Sequence, residues 1–294
     1  MKGTLIDSNY DENENLQLRV NAVGGDRTAL EKLINNHYSF IYNVAWKMTA
    51  EPSDAEDITQ DIIIKIITNL SSFKGQSSFR TWLYRLVVNH VLNMKKRHCE
   101  FLIGTFSEYG DVLERMPNAD FPKEINSDPE KEMILKEIKY SCTAGMLLCL
   151  SREQRLLYIL GAIFEIDHTL GAEIMNLSKD NYRQKLSRAR KELSQFMNDK
   201  CSLITKTNPC KCNKKAKAFI EQGVVDPKKL VYNTDYVNKI FALLPVKQDS
   251  MEMVLEEKIK QLYQDSPFQE KKELKERLHQ VISSKNFGQS FNLN

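Results

Sequence analysis

The segment from Ile58 to Leu70 carries the pattern that most restricts the fold of this chain. It is rich in isoleucine, a residue type that favours strands. Its apolar residues nevertheless recur every four positions, at Ile58, Ile62, Ile66 and Leu70. That spacing marks one face of an α-helix and differs from the alternation of a strand. A helix with such an apolar face must bury it against other elements, so the segment predicts a helical core.

The composition supports a helical protein throughout. At roughly 100–200 residues per domain, a chain of 294 residues has room for two or three domains. It contains only 11 glycines and 8 prolines, too few for the turns of barrels and sandwiches or for phosphate-binding loops. We therefore predict an all-α fold. The net charge is only +3, so any contact with nucleic acid has to come from local basic patches.

Three features of the chain indicate its compartment. The first 20 residues are polar and acidic, unlike a signal peptide. No window approaches the roughly 20 apolar residues of a membrane span, so we expect no membrane insertion. The 6 cysteines are too few for a disulfide scaffold. The expected localisation is cytoplasmic.

The pattern along the chain divides it into five segments. They are a mobile N-terminal tail at 1–25, a helical domain at 26–99, a linker at 100–130, a second helical domain at 131–199 and a C-terminal extension at 200–294. The extension is predicted to be mostly helical, and its part at 250–283 has amphipathic spacing. Asp26 is a candidate N-cap. Capping boxes are predicted at Ser53–Glu56 and at Ser151–Gln154.

The second helical domain contains a short helix near 170–175, a turn at 176–178 and a basic helix from 179 to about 197, which is a helix-turn-helix order. Residues 179–192 contain six basic and two acidic side chains. Ser178 is placed to cap the helix. Side chains suited to base edges or phosphates begin the helix, namely Lys179, Asn181, Arg183, Gln184 and Arg188. The alternative is a solvated amphipathic helix with a core stripe at Tyr182, Leu186, Ala189 and Leu193.

A second basic segment lies within the first helical domain. Residues 80–97 contain five basic residues and no acidic one, and Phe73, Phe79, Trp82 and Tyr84 are interleaved. Rings that stack on bases, beside cations that bind phosphates, suit single-stranded or melted DNA. Plain core packing of Trp82 is the alternative. The candidates are Lys74, Gln76, Arg80, Trp82, Arg85, Asn89, Lys95 and Lys96.

An acidic cluster precedes these elements. Glu51, Asp54, Glu56, Asp57 and Asp61 surround a predicted helix start, where carboxylates complement the helix dipole. Because like charges four residues apart repel each other, the cluster also predicts a docking surface for a basic partner.

Residues 54–97, from DAEDITQ to MKKR, resemble region 2 of bacterial RNA polymerase sigma factors of the extracytoplasmic-function (ECF) type. Residues 150–193, LSREQRLLYILGAIFEIDHTLGAEIMNLSKDNYRQKLSRARKEL, resemble region 4 of the same factors. The resemblance covers about 26–99 and 131–198, over half the chain. It implies two small helical domains, a region 2 bundle and a region 4 helix-turn-helix, joined by a linker. It departs from the family pattern at 168–173, where only Glu173-Ile174 is kept.

The resemblance also implies roles for the candidate residues. Asp54, Asp57, Gln60 and Asp61 would bind core RNA polymerase. The segment at 73–79 and the basic helix after it would capture the −10 promoter element and hold the melted strand. The basic helix from Lys179 would read the −35 element.

The implied function is promoter recognition, DNA melting and transcription initiation, with core RNA polymerase and promoter DNA as partners. A separate anti-sigma factor and autoinhibition by the C-terminal extension are both left open. The alternative is a helix-turn-helix regulator that never joins polymerase. No nucleophile–base arrangement or P-loop is visible in the sequence, so we expect neither an enzyme nor a cofactor.

Cys201, Cys210 and Cys212 form one close group of thiols among lysines. A structural zinc site needs four ligands, and the fourth would have to come from elsewhere in the chain. We therefore predict no metal site, and keep these three cysteines as the only candidates for metal binding or redox sensing.

Overall fold

The computed structural model describes residues 10–123, 125, 128–232, 259–261, 263, 264, 276, 279 and 282. Within these residues the protein is all-α, as predicted, and the only β-structure is an isolated bridge between Cys201 and Cys210. The helices are α1 Glu12–Val23, α2 Arg27–Thr49, α3 Pro52–Asn69, α4 Phe79–Asn93, α5 His98–Leu102, α6 Phe106–Arg115, α7 Asp128–Cys149, α8 Arg152–Tyr158, α9 His168–Met175, α10 Lys179–Lys200 and α11 Cys212–Glu221. A 3-10 turn at Leu70–Ser72 follows α3, and a π-helical turn at Ile159–Ile163 follows α8.

The chain divides into two compact units. The first comprises residues 1–95, 159–183 and 268–294. Its central element is α2, which packs against α1, α3 and α4 and is buried along most of its length. The predicted stripe of α3 lies in this core, with Ile58, Ile62 and Ile66 fully buried and Leu70 nearly so. The helical interpretation of the isoleucine-rich segment is therefore confirmed.

The N-terminal segment differs from the sequence prediction, because residues 12–23 form helix α1 where we expected a mobile tail. Asp11 caps it by accepting hydrogen bonds from the backbone N–H groups of Asn13 and Glu14, at 2.8 and 3.1 Å. Short polar helices are marginal in isolation. This one is stabilised by packing against α2 and α4, which the sequence pattern does not reveal.

The second unit comprises residues 96–158 and 184–267. It contains α5 and α6, which form the start of the segment predicted as a linker at 100–130, with α5 beginning just before it at His98. Glu100 of α5 is buried and receives hydrogen bonds from Arg152 (2.9 and 2.7 Å) and Arg155 (3.0 Å) near the start of α8. Burial alone would raise the pKa of Glu100. The hydrogen bonds from Arg152 and the Arg97 backbone, with the two arginine charges, instead lower it to about 2. This ion-pair network anchors the predicted linker to α8.

The helix-start predictions have mixed outcomes. Asp26 accepts from the Ala29 N–H at 3.0 Å, as expected for an N-cap. Ser151 and Gln154 form the predicted reciprocal pair, at 3.2 and 3.3 Å. The capping box at Ser53 is wrong, because α3 already begins at Pro52 with Glu51 as its N-cap. Proline suits the first helical position, where its missing N–H needs no partner, so the helix starts two residues earlier than a Ser53 cap would place it.

The amphipathic segment predicted at 250–283 falls largely outside the described residues. No helix in the described part of the chain is long and apolar enough to cross a membrane.

Candidate functional site

The loop between α3 and α4 (residues 70–78, the α3–α4 loop) brings three aromatic rings together. The ring centroid of Phe73 lies 5.4 Å from that of Phe79 and 5.6 Å from that of Trp82, and those of Phe79 and Trp82 are 5.5 Å apart. Phe79 is fully buried, whereas Phe73 and Trp82 are half-buried. Trp82 therefore packs on core rings and still exposes part of its surface, which combines the two interpretations left open by the sequence.

The polar candidates of this loop project into solvent. Lys74 and Gln76 are exposed on either side of Gly75, whose φ of +70° suits a residue without a Cβ. Ser78 ends the loop by accepting a hydrogen bond from the Thr81 N–H at 3.0 Å. The loop thus places the Gln76 amide and the Lys74 ammonium group beside the rings of Phe73, Phe79 and Trp82, which we refer to as the ring cluster.

Helix α1 holds both ends of the loop, a role that we did not predict. Arg19 donates hydrogen bonds to the carbonyls of Leu70 (3.1 Å), Ser71 (3.4 Å) and Phe73 (3.3 Å). Its guanidinium carbon also lies 5.6 Å from the Phe73 ring centroid. At the other end, the Glu12 carboxylate accepts from the backbone N–H of Phe79. The sequence does contain a signal for helix α1. Asp11 is a suitable N-cap, Glu14 follows it three residues later, and Gly24 stands where the helix ends.

The remaining candidates of this segment lie on α4 and just beyond it. Arg80 is half-buried with its guanidinium carbon 4.6 Å from the Tyr10 ring centroid, and Asn89 is exposed. The helix ends at Asn93. Lys95 and Lys96 are exposed in the following turn.

Helix α9 covers part of α4 within the first unit. Arg85 donates through Nε to the Glu173 carbonyl at 2.8 Å, and the Thr81 hydroxyl donates to the Glu173 carboxylate at 3.3 Å. The Arg85 Nε–H is therefore already bound to protein. Sequence spacing alone did not predict this contact.

The acidic candidates lie on α3, on the side away from its core stripe. Asp57, Gln60 and Asp61 are exposed and Asp54 is half-buried, while Ile58 is buried. We refer to Asp54, Asp57, Gln60 and Asp61 as the acidic face. Its carboxylates carry a concentrated negative charge that a basic surface would complement.

The helix-turn-helix prediction is confirmed by α9, the turn at 176–178 and α10. Asn176 adopts the left-handed conformation that ends α9, and Ser178 accepts from the Asn181 N–H at 3.2 Å. Tyr182 is fully buried, as are Leu186, Ala189 and Leu193. All five candidates for DNA contact are exposed on α10, namely Lys179, Asn181, Arg183, Gln184 and Arg188.

Gly171 accounts for part of the unusual sequence of α9. A Cβ at this position would lie 2.5–2.9 Å from atoms of the Tyr182 ring. Only glycine admits the tyrosine against α9, so the departure at 168–173 reflects how α9 packs on α10.

His37 is the core residue beneath the ring cluster. Its ring lies 6.2 Å from that of Phe79 and 5.7 Å from that of Tyr84, and its two nitrogens have no hydrogen-bond partner. Burial, assisted by the nearby charge of Arg80, lowers the pKa of His37 to about 4. The neutral ring therefore acts as a packing group at neutral pH.

Free thiols account for all six cysteines. In the described part of the chain, no group of three or more His, Cys, Asp or Glu residues is arranged so that it could hold a metal ion.

Comparisons with known proteins find similarity to bacterial RNA polymerase sigma factors. A family model described as Sigma-70 region 2 matches residues 33–99, a range that contains the acidic face, the α3–α4 loop and α4. The RNA polymerase sigma factor YlaC of Bacillus subtilis is 28% identical over 171 residues, covering 58% of this chain and 93% of that protein. The ECF RNA polymerase sigma factor SigW of the same organism is 24% identical over 179 residues, covering 60% and 92%.

Among solved structures, that of CnrH in complex with the cytosolic domain of CnrY covers 64% of this chain and 98% of that chain, with 20% identity and a TM-score of 0.44.

Proposed function

We propose that this chain is a bacterial RNA polymerase sigma factor of the ECF type and that its described surfaces divide the work of that class among three elements. The protein binds core RNA polymerase and directs promoter recognition, DNA melting and transcription initiation. The acidic face of α3 would bind the polymerase, the α3–α4 loop with α4 would bind the −10 element, and α10 would bind the −35 element.

The observation that carries this proposal is the ring cluster at the start of α4. Phe73 and Trp82 are half-buried and lie beside exposed Lys74 and Gln76. A base that leaves the duplex needs a stacking surface, a polar edge partner and a cation for its phosphate, and this cluster supplies all three. A duplex-only regulator would have no use for it.

Helix α10 suits duplex reading. Its first two turns present Lys179, Asn181 and Arg183 to solvent, and the start of such a helix normally enters the major groove. Asparagine and arginine recognise base edges, while lysine suits phosphates. Arg188, one and a half turns further on, is exposed for a backbone contact.

The hydrogen bonds between α4 and α9 add a requirement for DNA binding by α4. While Arg85 donates its Nε–H to Glu173, that donor is unavailable to a DNA phosphate. We therefore expect α9 to leave α4 when the promoter binds. An inhibitor, whether a separate anti-sigma protein or the C-terminal extension, would act by keeping α9 in place.

The same proposal includes a cytoplasmic, non-catalytic protein without a cofactor. Relatives of this chain are named RNA polymerase sigma factors, and polymerase and promoters are cytoplasmic in bacteria. The alternative, a regulator that never joins polymerase, predicts duplex binding without copurification of core enzyme.

The test is transcription in vitro with purified core polymerase on a genomic fragment library. We expect specific initiation with the wild-type chain and copurification with core enzyme. The double variant Asp57→Asn/Asp61→Asn should lose polymerase binding, whereas Asp111→Asn, an exposed carboxylate of α6, should not. Failure of the wild-type chain to bind core enzyme would contradict the proposal.

The ring cluster has its own test. Trp82→Ala should abolish opening of the start site, measured by permanganate reactivity of unpaired thymines, and leave polymerase binding intact. The matched control is Leu86→Ala, which truncates another half-buried residue of α4. Equal open-complex formation by Trp82→Ala and the wild-type protein would remove the stacking role.

A further inference from the structure

Helix α5, at the start of the predicted linker, is attached to the second unit by one buried carboxylate. Glu100 accepts hydrogen bonds from Arg152 at 2.9 and 2.7 Å and from Arg155 at 3.0 Å. The two large apolar side chains of α5 point away from any core, with Phe101 71% exposed and Leu102 70% exposed. A polar contact therefore holds this helix where apolar packing usually would. We refer to Glu100, Arg152 and Arg155 as the latch.

The arginines of the latch would keep favourable surroundings if Glu100 moved away. Arg155 also donates hydrogen bonds to three carbonyls at the end of α7 and just beyond it, those of Leu147 (3.0 Å), Leu148 (3.1 Å) and Leu150 (3.2 Å). The Arg152 side chain is 18% exposed, so water can take the place of the carboxylate there. A helix as short as α5 is marginal in isolation. Opening of the latch would therefore also unfold α5.

Helix α6, further along the linker, is attached in a different way. Its Leu113 is buried, and the ring centroid of Phe106 lies 5.1 Å from that of Phe196 on α10. Beyond α6, the Ala119 N–H donates to the Lys214 carbonyl at 2.8 Å, which joins the linker to α11. These contacts do not involve the latch, so α6 can stay in place when α5 is released.

The length of the connection between α4 and α5 decides whether the latch can stay closed on a promoter. The connection is residues 94–97, and its reach is at most about 14 Å. The −10 and −35 elements lie about 25 base pairs apart, or about 85 Å along the duplex. At 1.5 Å per residue, α4 adds about 22 Å and α10 about 33 Å. These lengths together fall short of the separation.

Release of α5 supplies the missing reach. The connection then extends from residue 94 to residue 104, and its reach rises to about 39 Å. We propose that the latch holds α5 on α8 in the free chain and opens when the two DNA-binding helices engage one promoter. This inference rests on the proposed function, because it requires one chain to bind both elements. The free energy needed to open the latch lowers the apparent affinity for the promoter.

Hydrogen exchange of the full wild-type chain tests the release, in the free chain and in its complex with core polymerase and promoter DNA. In the free chain the Ile103 N–H donates to the Cys99 carbonyl at 3.1 Å. We expect the segment 98–104 to exchange at least about tenfold faster in the complex, the factor that corresponds to one lost hydrogen bond to a charged group. The Ala119 amide should stay protected in both states. Continued protection of 98–104 in the complex would overturn the proposal.

The variant Glu100→Gln tests the latch in the free chain. We expect exchange at 98–104 to rise about tenfold, with more open complex at limiting polymerase. Binding of −35 duplex by α10 should stay at the wild-type level. The matched control is Asp111→Asn, which neutralises an exposed carboxylate elsewhere in the linker and should change neither quantity. Wild-type exchange rates in Glu100→Gln would contradict the role of the carboxylate.

An insertion tests the length argument without altering the latch. Eight glycine and serine residues placed between Lys95 and Lys96 would extend the reach of the connection to about 42 Å. We expect this variant to form open complexes while 98–104 stays protected, and loss of protection there would show that something other than reach releases α5. A wild-type chain that never copurifies with core enzyme would contradict the proposed function. A bound chain with α5 still protected would contradict the latch alone.

Discussion

The surfaces of α4 and α10 are both basic, yet they are built in different ways. The five candidate side chains of α10 are all exposed, above a stripe of buried residues that its sequence already displays. On α4, Arg80, Trp82 and Arg85 are only half-exposed, and each contacts side or main chains of other elements. A duplex-reading helix needs only periodicity and charge. A strand-holding surface needs aromatic groups placed by the tertiary structure.

The largest expected effect concerns the core beneath α4. The pKa of His37 is about 4 in the folded chain and 6.5 in the unfolded chain, so the unfolded state binds more protons between these values. Stability conferred by the neutral ring is therefore present above pH 6.5 and is lost as the pH falls to 4. At 1.36 kcal/mol per pKa unit, the loss is about 3 kcal/mol.

Urea denaturation at pH 7, 5.5 and 4 measures this loss. The variant His37→Phe should flatten the dependence above pH 4.5, where the pKa of Glu100, at about 2, makes no contribution. Hydrogen exchange should show α4 weakening in acid before α10 does. An unchanged pH dependence in His37→Phe would assign the effect to other groups.

The packing of α9 on α10 is tested by Gly171→Ala. The added methyl group would lie 2.5 Å from the Tyr182 ring, and such overpacking costs about 1–3 kcal/mol. We expect weaker binding to −35 duplex and a lower melting temperature. Adding Tyr182→Leu should restore part of the stability, and a double variant as unstable as the single one would contradict this account of Gly171.

The dependence of the α3–α4 loop on α1 is tested by Arg19→Ala. This change removes three hydrogen bonds to loop carbonyls, and we expect a loss of about 2 kcal/mol in open-complex formation. Duplex binding by α10 should stay unchanged. The control Gln17→Ala alters an exposed residue of the same helix, and an equal effect of both variants would mean that α1 acts only through general stability.

Base reading by α10 is tested by Arg183→Ala and Lys191→Ala, both of which truncate exposed cations. Loss of a base contact costs about 1–3 kcal/mol and relaxes specificity at one position. Loss of a phosphate contact weakens binding to all sequences and lowers the salt slope by about 1. We expect the first behaviour for Arg183→Ala. Equal losses on specific and unrelated duplexes would assign Arg183 to the backbone instead.

The smallest effect should come from releasing α9. Glu173→Ala removes the carboxylate that accepts from Thr81 but keeps the carbonyl that accepts from Arg85. One such hydrogen bond contributes about 0.5–1.5 kcal/mol. Start-site opening should become easier, with a matching rise in transcription at limiting polymerase. A decrease would show that Glu173 serves DNA binding and not the covered state.

Periodicity and capping were sufficient for much of the fold. The stripes of α3 and α10, and the caps Asp26 and Ser151, are local features and were predicted from neighbouring residues. Helices α1, α5 and α6 were missed because they are short or polar and depend on distant partners, such as Glu100 with Arg152 and Arg155. The proposed contacts of the site residues with polymerase and promoter remain predictions.

The amino-acid sequence determined the all-α fold, the order of the two motifs and the exposed basic side of α10, because each depends on residues within a few helical turns. Only the tertiary structure decided that Arg19 holds the α3–α4 loop and that α9 covers Arg85. These hydrogen-bonded pairs are 51 to 88 residues apart, and no local pattern encodes which distant residues become neighbours when a core closes.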